Sequence, residues 1–246
     1  ILQTRKDYPN GFPAFGADAL RFTFAILATQ GREIRFDVAR VDGSRNFCNK
    51  LWNATKFVLM NAKTHEGLIG NFECASVIDT WILSALNQLI KDLEFAYTTY
   101  RFDLLAQKLY EFMWNEFCDW YVELAKVNLN SSDLSLRATT INVLLQVLEC
   151  YLRLLHPIMP FITEELWQSV ATISNRKTSD SIMIAPYPKV EEVGGMHSDS
   201  ISEIRLLKEI ITSVRNLRGE MNLSPALKVP LIIEEASESD SKFKHF

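Results

Sequence analysis

Apolar residues recur at helical spacing through most of the 246 residues. From Arg45 onward, in RNFCNKLWNATKFVLMN, the residues Phe47, Leu51, Ala54, Val58 and Ala62 fall in one stripe at about 100° per residue, a core-facing seam. The far side holds Arg45, Asn49, Trp52, Lys56, Met60 and Lys63, with Asn46, Lys50, Asn53 and Phe57 on the flank between. The pattern predicts a helix from an Asp37 N-cap to about Ala62. Further stripes predict helices over 17–29, 76–99, 104–127 and 134–155. The third of these is capped by Asp103 and striped by Leu105, Leu109, Phe112, Phe117, Trp120 and Leu124. The fourth is opened by Ser132 or Asp133 and stopped at His156-Pro157.

The predicted fold is therefore mainly α. Four long amphipathic helices joined by short loops make an antiparallel up-down bundle, and no repeat period is evident. Residues 1–16, broken by Pro9, Gly11, Pro13 and Gly16, form an irregular opening segment. After the bundle, Thr163 is expected to cap a short helix, and SIMIAPYP to run extended. Ser200 and Glu203 should form a capping box for a helix ending at Arg218-Gly219. KVPLIIEE reads as a strand, the start of a small, incomplete α/β unit at the C-terminus. Three regions follow: 1–36, a linker and stem-contact helix region; 37–172, the bundle; and 173–246, the connection with its helix and strand.

Composition refines this picture little. Hydrophobic content of 48% with 23% charged residues is that of a globular protein, and 9 Gly with 8 Pro disfavour a multi-turn β fold. The net charge of −4 hides a local excess: residues 32–63 hold seven Lys/Arg against three acids. Cys48, Cys74, Cys118 and Cys150 lack a C-x-x-C spacing and read as small buried thiols in a reducing compartment. Four scattered histidines make a metal site improbable. No apolar run approaches a membrane span, no signal peptide is visible, and a first residue of Ile is that of a piece of a longer chain.

No motif of catalysis is present. Glu164-Glu165 and Glu191-Glu192 are cap and loop charges, and His156 is a structural residue at a helix end. The face over 45–61 is unusual, with four asparagines, three cations, two aromatics and no carboxylate. Asn is a mediocre helix former, so these positions need a reason beyond propensity. Amides read base edges, cations hold phosphates and rings stack on unpaired bases. The competing reading is a helix buried on three sides, with its asparagines bonded to neighbouring helices and Trp52 and Phe57 in the core. In CDWYVE, Trp120 and Leu124 are expected to face inward and Tyr121 and Glu123 outward. That segment is either plain packing or the second wall of a pocket whose first wall is the Asn46–Phe57 flank.

The strings FGADALRF (15–22), RNFCNKLWNATKFVLMN (45–61), EFCDWYVELAK (116–126), HPIMPFITEELWQ (156–168), IMIAPYP (182–188) and VRNLRGEMNLSP (214–225) carry a resemblance. Together they resemble the C-terminal part of bacterial valyl-tRNA synthetases, which are class I aminoacyl-tRNA synthetases. HPIMPFITEELW is similar to the valyl, isoleucyl, leucyl and methionyl group as a whole, whereas RNFCNKLWNA and RGEMNLSP are narrower and point to valine. The resemblance implies a helical bundle that binds the tRNA anticodon, and a linker helix at FGADALRF. The catalytic strings HIGH and KMSKS are absent from this sequence, as are the editing domain and the coiled-coil arm. The implied full-length protein is a cytoplasmic, monomeric valine–tRNA ligase using ATP with Mg²⁺. The fragment alone should have no cofactor, no membrane contact and no catalysis.

Valine anticodons end in A then C, and the resemblance implies that the bundle reads these letters in tRNA(Val). It places Phe57 against a base, Asn46, Asn49, Lys50, Asn53 and Lys56 on edges and phosphates, Arg45 over backbone phosphate, and Tyr121, Val122 and Glu123 on the opposite wall. Ala39 stands where members of the family can carry a basic residue, so any phosphate contact there is absent or falls to Arg40. The alternatives are an isoleucyl-type ligase and a non-catalytic helical module that binds protein.

Overall fold

The computed structural model describes residues 5–6, 8–29, 33, 36–64, 67, 69–70, 76–193, 197–224 and 226–230. The chain divides into two compact units at 196/197. In the first, α1 is Ala17–Leu27, α2 Val38–Thr64, α3 Val77–Thr98, and α4 Phe102–Glu111. A π-helical stretch, Phe112–Tyr121, leads without a break into α5, Val122–Leu129. Next come α6, Leu134–Leu155, and α7, Pro160–Ile173, with 3₁₀ turns at Ile182–Ile184 and Val190–Glu192. The second unit holds α8, Ser198–Glu220. No strand occurs among the described residues. The expected strand lies mostly outside them, and Lys228 to Pro230 have no regular structure.

The bundle is built round α6, which packs on α2, α3, α5 and α7. Fifteen of its residues are buried. Contrary to the sequence expectation, one described helix, α6, is long and apolar enough to cross a membrane, but 83% of its apolar window is buried by its neighbours. It is the core helix of the bundle. Connections of three or four residues after α3, α5 and α6 turn each helix back on the one before it.

Several helix ends differ from expectation for a physical reason. Asp37 and Asp133 cap as expected, accepting from the Ala39 N–H at 2.9 Å and the Ser135 N–H at 2.8 Å. Asp103 sits inside the first turn of α4 and pairs with Arg101, the residue at the cap position, at 2.7 Å. Thr163 is also interior. Pro160 opens α7, and the Thr163 hydroxyl donates back to the Met159 carbonyl at 2.7 Å.

The cap of α7 comes from α1: the buried Asp18 carboxylate accepts the Phe161 N–H at 3.3 Å and the Ile162 N–H at 2.6 Å. One turn on, Arg21 donates to the carbonyls of Ile158 (2.7 Å) and Pro157 (3.0 Å). Two side chains of GADALR thus clamp both sides of the α6–α7 turn. In α8 the capping box is absent. Ser200 lies within the helix, its hydroxyl donating to the His197 carbonyl, and Gly219 does not end it.

Tyr100, Asn175 and Asn222 each take positive φ just past a helix end. The following residue donates to the third-last helical carbonyl at 2.8–2.9 Å, a Schellman closure made without glycine.

A candidate nucleic-acid interface on α2

Seven residues of α2 point into the bundle: Val41, Ser44, Phe47, Leu51, Thr55, Val58 and Ala62. Thr55 takes the place expected of Ala54, which is half-buried. Full burial of Phe47, Leu51 and Val58 stabilises by about 1.5–3 kcal/mol each, which holds in helix a segment whose asparagines do not favour it. With the seam so placed, the amide and cation face cannot also be inside. Arg45, Asn46, Asn49, Asn53 and Lys56 are exposed, and Phe57 and Lys50 are half-buried. Asn46, Asn49, Asn53 and Lys56 make no hydrogen bond or ion pair among the described residues. The reading of this helix as buried on three sides is therefore overturned. From Gly43 to Thr64 no carboxylate shares the helix.

Two of the expected residues are engaged by the π-helix and by α5. Lys50 Nζ reaches Asp119 Oδ1 at 2.6 Å and lies 4.2 Å over the Trp114 ring. Trp114 stacks on Tyr110, Tyr110 leans on Phe47, and Phe47 stacks on Phe22. This aromatic column runs from α1 to the π-helix and fixes the orientation of α2. Two turns further along α2, Lys126 Nζ lies 5.8 Å from the Phe57 ring centroid and bonds Glu123 at 2.7 Å. Arg45 is held by Asp42 at 2.7 Å and lies over the Phe15 ring. It forms the rim of a surface groove of about 480 Å³ shared with Asn49 and Phe161.

Tyr121 and Val122 are not on the facing wall. Both are buried, while Trp120 is half-buried and Glu123 alone of the three wall residues is exposed. The cause is the π-helix. Its i→i+5 bonds make each turn wider, so the inner positions move from the expected 117, 120 and 124 to Phe117, Tyr121 and Ala125. Inside, the Tyr121 hydroxyl donates to Asp79 Oδ1 at 2.6 Å, and Thr140 Oγ1 donates to Asp79 Oδ2 at 3.0 Å. Burial pushes the Asp79 carboxyl up to about 6 against these two bonds. Pairing at the bundle core therefore sets where Asp119, Glu123 and Lys126 stand. Neither Asp79 nor Lys126 was singled out from the sequence. The sequence signal for Asp79 is its place three residues after Ser76, the N-cap of α3, at the head of an apolar run.

The remaining chemistry is inert. Burial raises the thiols of Cys48, Cys118 and Cys150 to about 11, 12 and 12, and Cys74 lies outside the described residues. His156 Nδ1 pairs with Thr163 Oγ1 at 2.8 Å, a structural contact. Among the described residues no group of three metal-ligating side chains gathers.

Comparison with known proteins bears on the chain as a whole, and the family match begins after α2. The chain is 48% identical over 252 residues to a valine–tRNA ligase of Dechloromonas aromatica, covering 98% of this chain and 27% of that protein. It is 49% identical over 246 residues to one of Neisseria meningitidis serogroup A, and 50% identical over 242 residues to one of Coxiella burnetii, covering 98% and 97% of this chain. The chain spans about a quarter of the length of these relatives. In fold it is similar to a LeuRS of Agrobacterium radiobacter K84, solved in a ternary complex with tRNA and LeuAMS. The TM-score is 0.53 at 17% identity, over 74% of this chain and 20% of that one. The family description "Anticodon-binding domain of tRNA ligase" matches residues 79–233, a span that includes the π-helix and Glu123. With more than half of its length inside that match, the chain belongs to the family of anticodon-binding domains of tRNA ligases.

Proposed function

We propose that this chain is the anticodon-binding part of a cytoplasmic valine–tRNA ligase, and that the exposed face of α2 reads the anticodon loop of tRNA(Val). In the whole protein, ATP and Mg²⁺ serve the catalytic portion, while the residues of this chain take RNA alone and catalyse nothing by themselves. The observation that carries the reading is the set of three exposed asparagine side chains and Lys56, unengaged among the described residues, beside the half-buried ring of Phe57. Amides in a water-exposed row offer paired donors and acceptors to base edges. The carboxylate-free helix tolerates phosphates, and the ring offers a face to an unstacked base. A protein-binding module would not need amides in place of apolar anchors at the centre of its contact. Close identity to valine–tRNA ligases over nearly the whole chain supports valine rather than isoleucine.

In this reading the residues have separate parts. Phe57 stacks, Asn49 and Asn53 meet base edges, and Lys56 holds phosphate. Lys50, paired with Asp119, supplies an edge or phosphate contact from the flank of the strip. Glu123 accepts an exocyclic amino group such as that of the anticodon's C or A.

Titration of a valine anticodon stem-loop tests this. Phe57→Ala is expected to weaken binding by about 1–3 kcal/mol, the worth of one base–aromatic stack, with a thermal midpoint close to that of the parent. The parent should discriminate against a loop in which only the A or the C is changed. Equal affinity for both loops would defeat the reading. Lys56→Ala should weaken all loops alike and lower the slope of log K against log salt by about 0.7, the release expected from one single-strand phosphate contact. An unchanged slope removes Lys56 from the phosphate contacts.

A further inference from the structure

Trp52 is 45% exposed, and among the described residues its ring meets no other ring and no cation. A tryptophan bare of partners is a costly surface residue, since its indole carries one of the largest apolar areas of any side chain. It stands on the same helix as Phe57, about 140° round the axis and about 7.5 Å along it. Between the two rings lie Lys56, Asn49 and Asn53, and no carboxylate is present from Gly43 to Thr64. One base cannot touch both rings at that separation, so the two aromatics are separate platforms at opposite shoulders of one polar strip.

We infer that Trp52 is a second nucleobase-stacking platform, holding an unpaired base of the same RNA loop that lies outside the two letters read beside Phe57. The inference rests on the proposed RNA reading of α2 and adds a binding position to it. The occupant is single-stranded RNA because the surroundings of Trp52 are cations and amides. Arg45 and Lys56 lie within about 40° of it on the helix. Met60, the other exposed apolar side chain of this face, stands eight residues on, about 12 Å along the axis, so the two do not make one continuous apolar anchor for a protein. Every base has a π-face, so the site should accept any base and discriminate by stacking area alone. Lys56, placed between the platforms, is then in reach of the phosphate that joins the two held nucleotides.

The test uses the 246-residue chain with Trp52→Ala and Trp52→Phe, titrated with the valine anticodon stem-loop and with loops abasic at single positions other than the A and C letters. Trp52→Ala should weaken binding about 5- to 150-fold at unchanged thermal midpoint, and Trp52→Phe should retain most of the affinity. One abasic loop should weaken the parent to the same degree yet bind Trp52→Ala no worse than the intact loop does. Swapping the base at that position should matter little. If Trp52→Ala binds like the parent while Phe57→Ala is impaired, the anticodon reading stands and the second platform is refuted. If the abasic and Trp52→Ala losses add for every loop position, Trp52 holds no base and the inference is again refuted. Failure of the parent to bind the stem-loop at all overturns the reading and the platform together.

Discussion

Glu149→Ala is expected to destabilise the first unit by about 3–5 kcal/mol, the cost of stranding one member of a buried ion pair. Glu149 is 2% exposed at the centre of α6. Its carboxylate takes Arg153 through both oxygens at 2.8 and 3.0 Å and the Trp167 indole N–H at 2.8 Å. Arg153 in turn donates to the Pro186 carbonyl at 2.8 Å and to Glu192 at 3.1 Å. One acid therefore orients an indole of α7 and the guanidinium that fastens the 182–192 segment to the bundle. Alanine leaves a half-buried guanidinium with its weaker partners and a buried indole N–H without an acceptor. Glu149→Gln keeps an acceptor for Trp167 and should fall between. Chemical denaturation at neutral pH measures the loss, and limited proteolysis between residues 176 and 193 reports release of the segment. A loss below about 1 kcal/mol would mean that the pair is not the linchpin its geometry implies.

What was legible in the sequence followed from period and local chemistry. Four long helices were read within a few residues of their ends, because each carries an apolar stripe and two of them an aspartate in the cap position. The exposed face of α2 was legible for the same reason: once Phe47, Leu51 and Val58 are inside, Asn49, Asn53 and Lys56 must be outside. What escaped was non-local or broke the period. Asp18 caps a helix that begins more than 140 residues later, and no local pattern announces that. The π-helix over FMWNEFCDWY shifts the seam by one residue. Tyr121 therefore came inside while a straight 100° reading had it facing the groove. Glu149 and Arg153 are an i, i+4 pair on an otherwise apolar helix. That signal was present but reads equally as a surface pair until α7 is seen to cover it.

The same inward turn of Tyr121 leads to the second large effect, which depends on pH. Asp79 is fully buried, and among the described residues hydroxyl donors, with no cation, face its two oxygens. Burial is the dominant cause of its rise from 3.8 to about 6, opposed by the bonds from Tyr121, Thr140 and Ser76. In the unfolded chain Asp79 gives up its proton near 3.8, whereas in the folded chain it keeps it to about 6. Between these values the native state binds more protons, so the contribution of Asp79 to stability is whole below about pH 4. It is lost as pH rises through 6. The full interval amounts to roughly 3 kcal/mol. Asp79→Asn removes the charge while its amide oxygen still accepts from Tyr121. The variant is therefore expected to be more stable than the parent by up to about 3 kcal/mol at pH 7.5, the margin shrinking through pH 6 and vanishing near pH 4. Tyr121→Phe has the opposite sign. It withdraws a donor from the ionised carboxylate, and should cost about 1.5–3 kcal/mol at pH 7.5 and less at pH 4. Denaturation midpoints of the three proteins across pH 4 to 8 decide the matter. A difference between parent and Asp79→Asn that stays flat over that range would show that Asp79 does not titrate there.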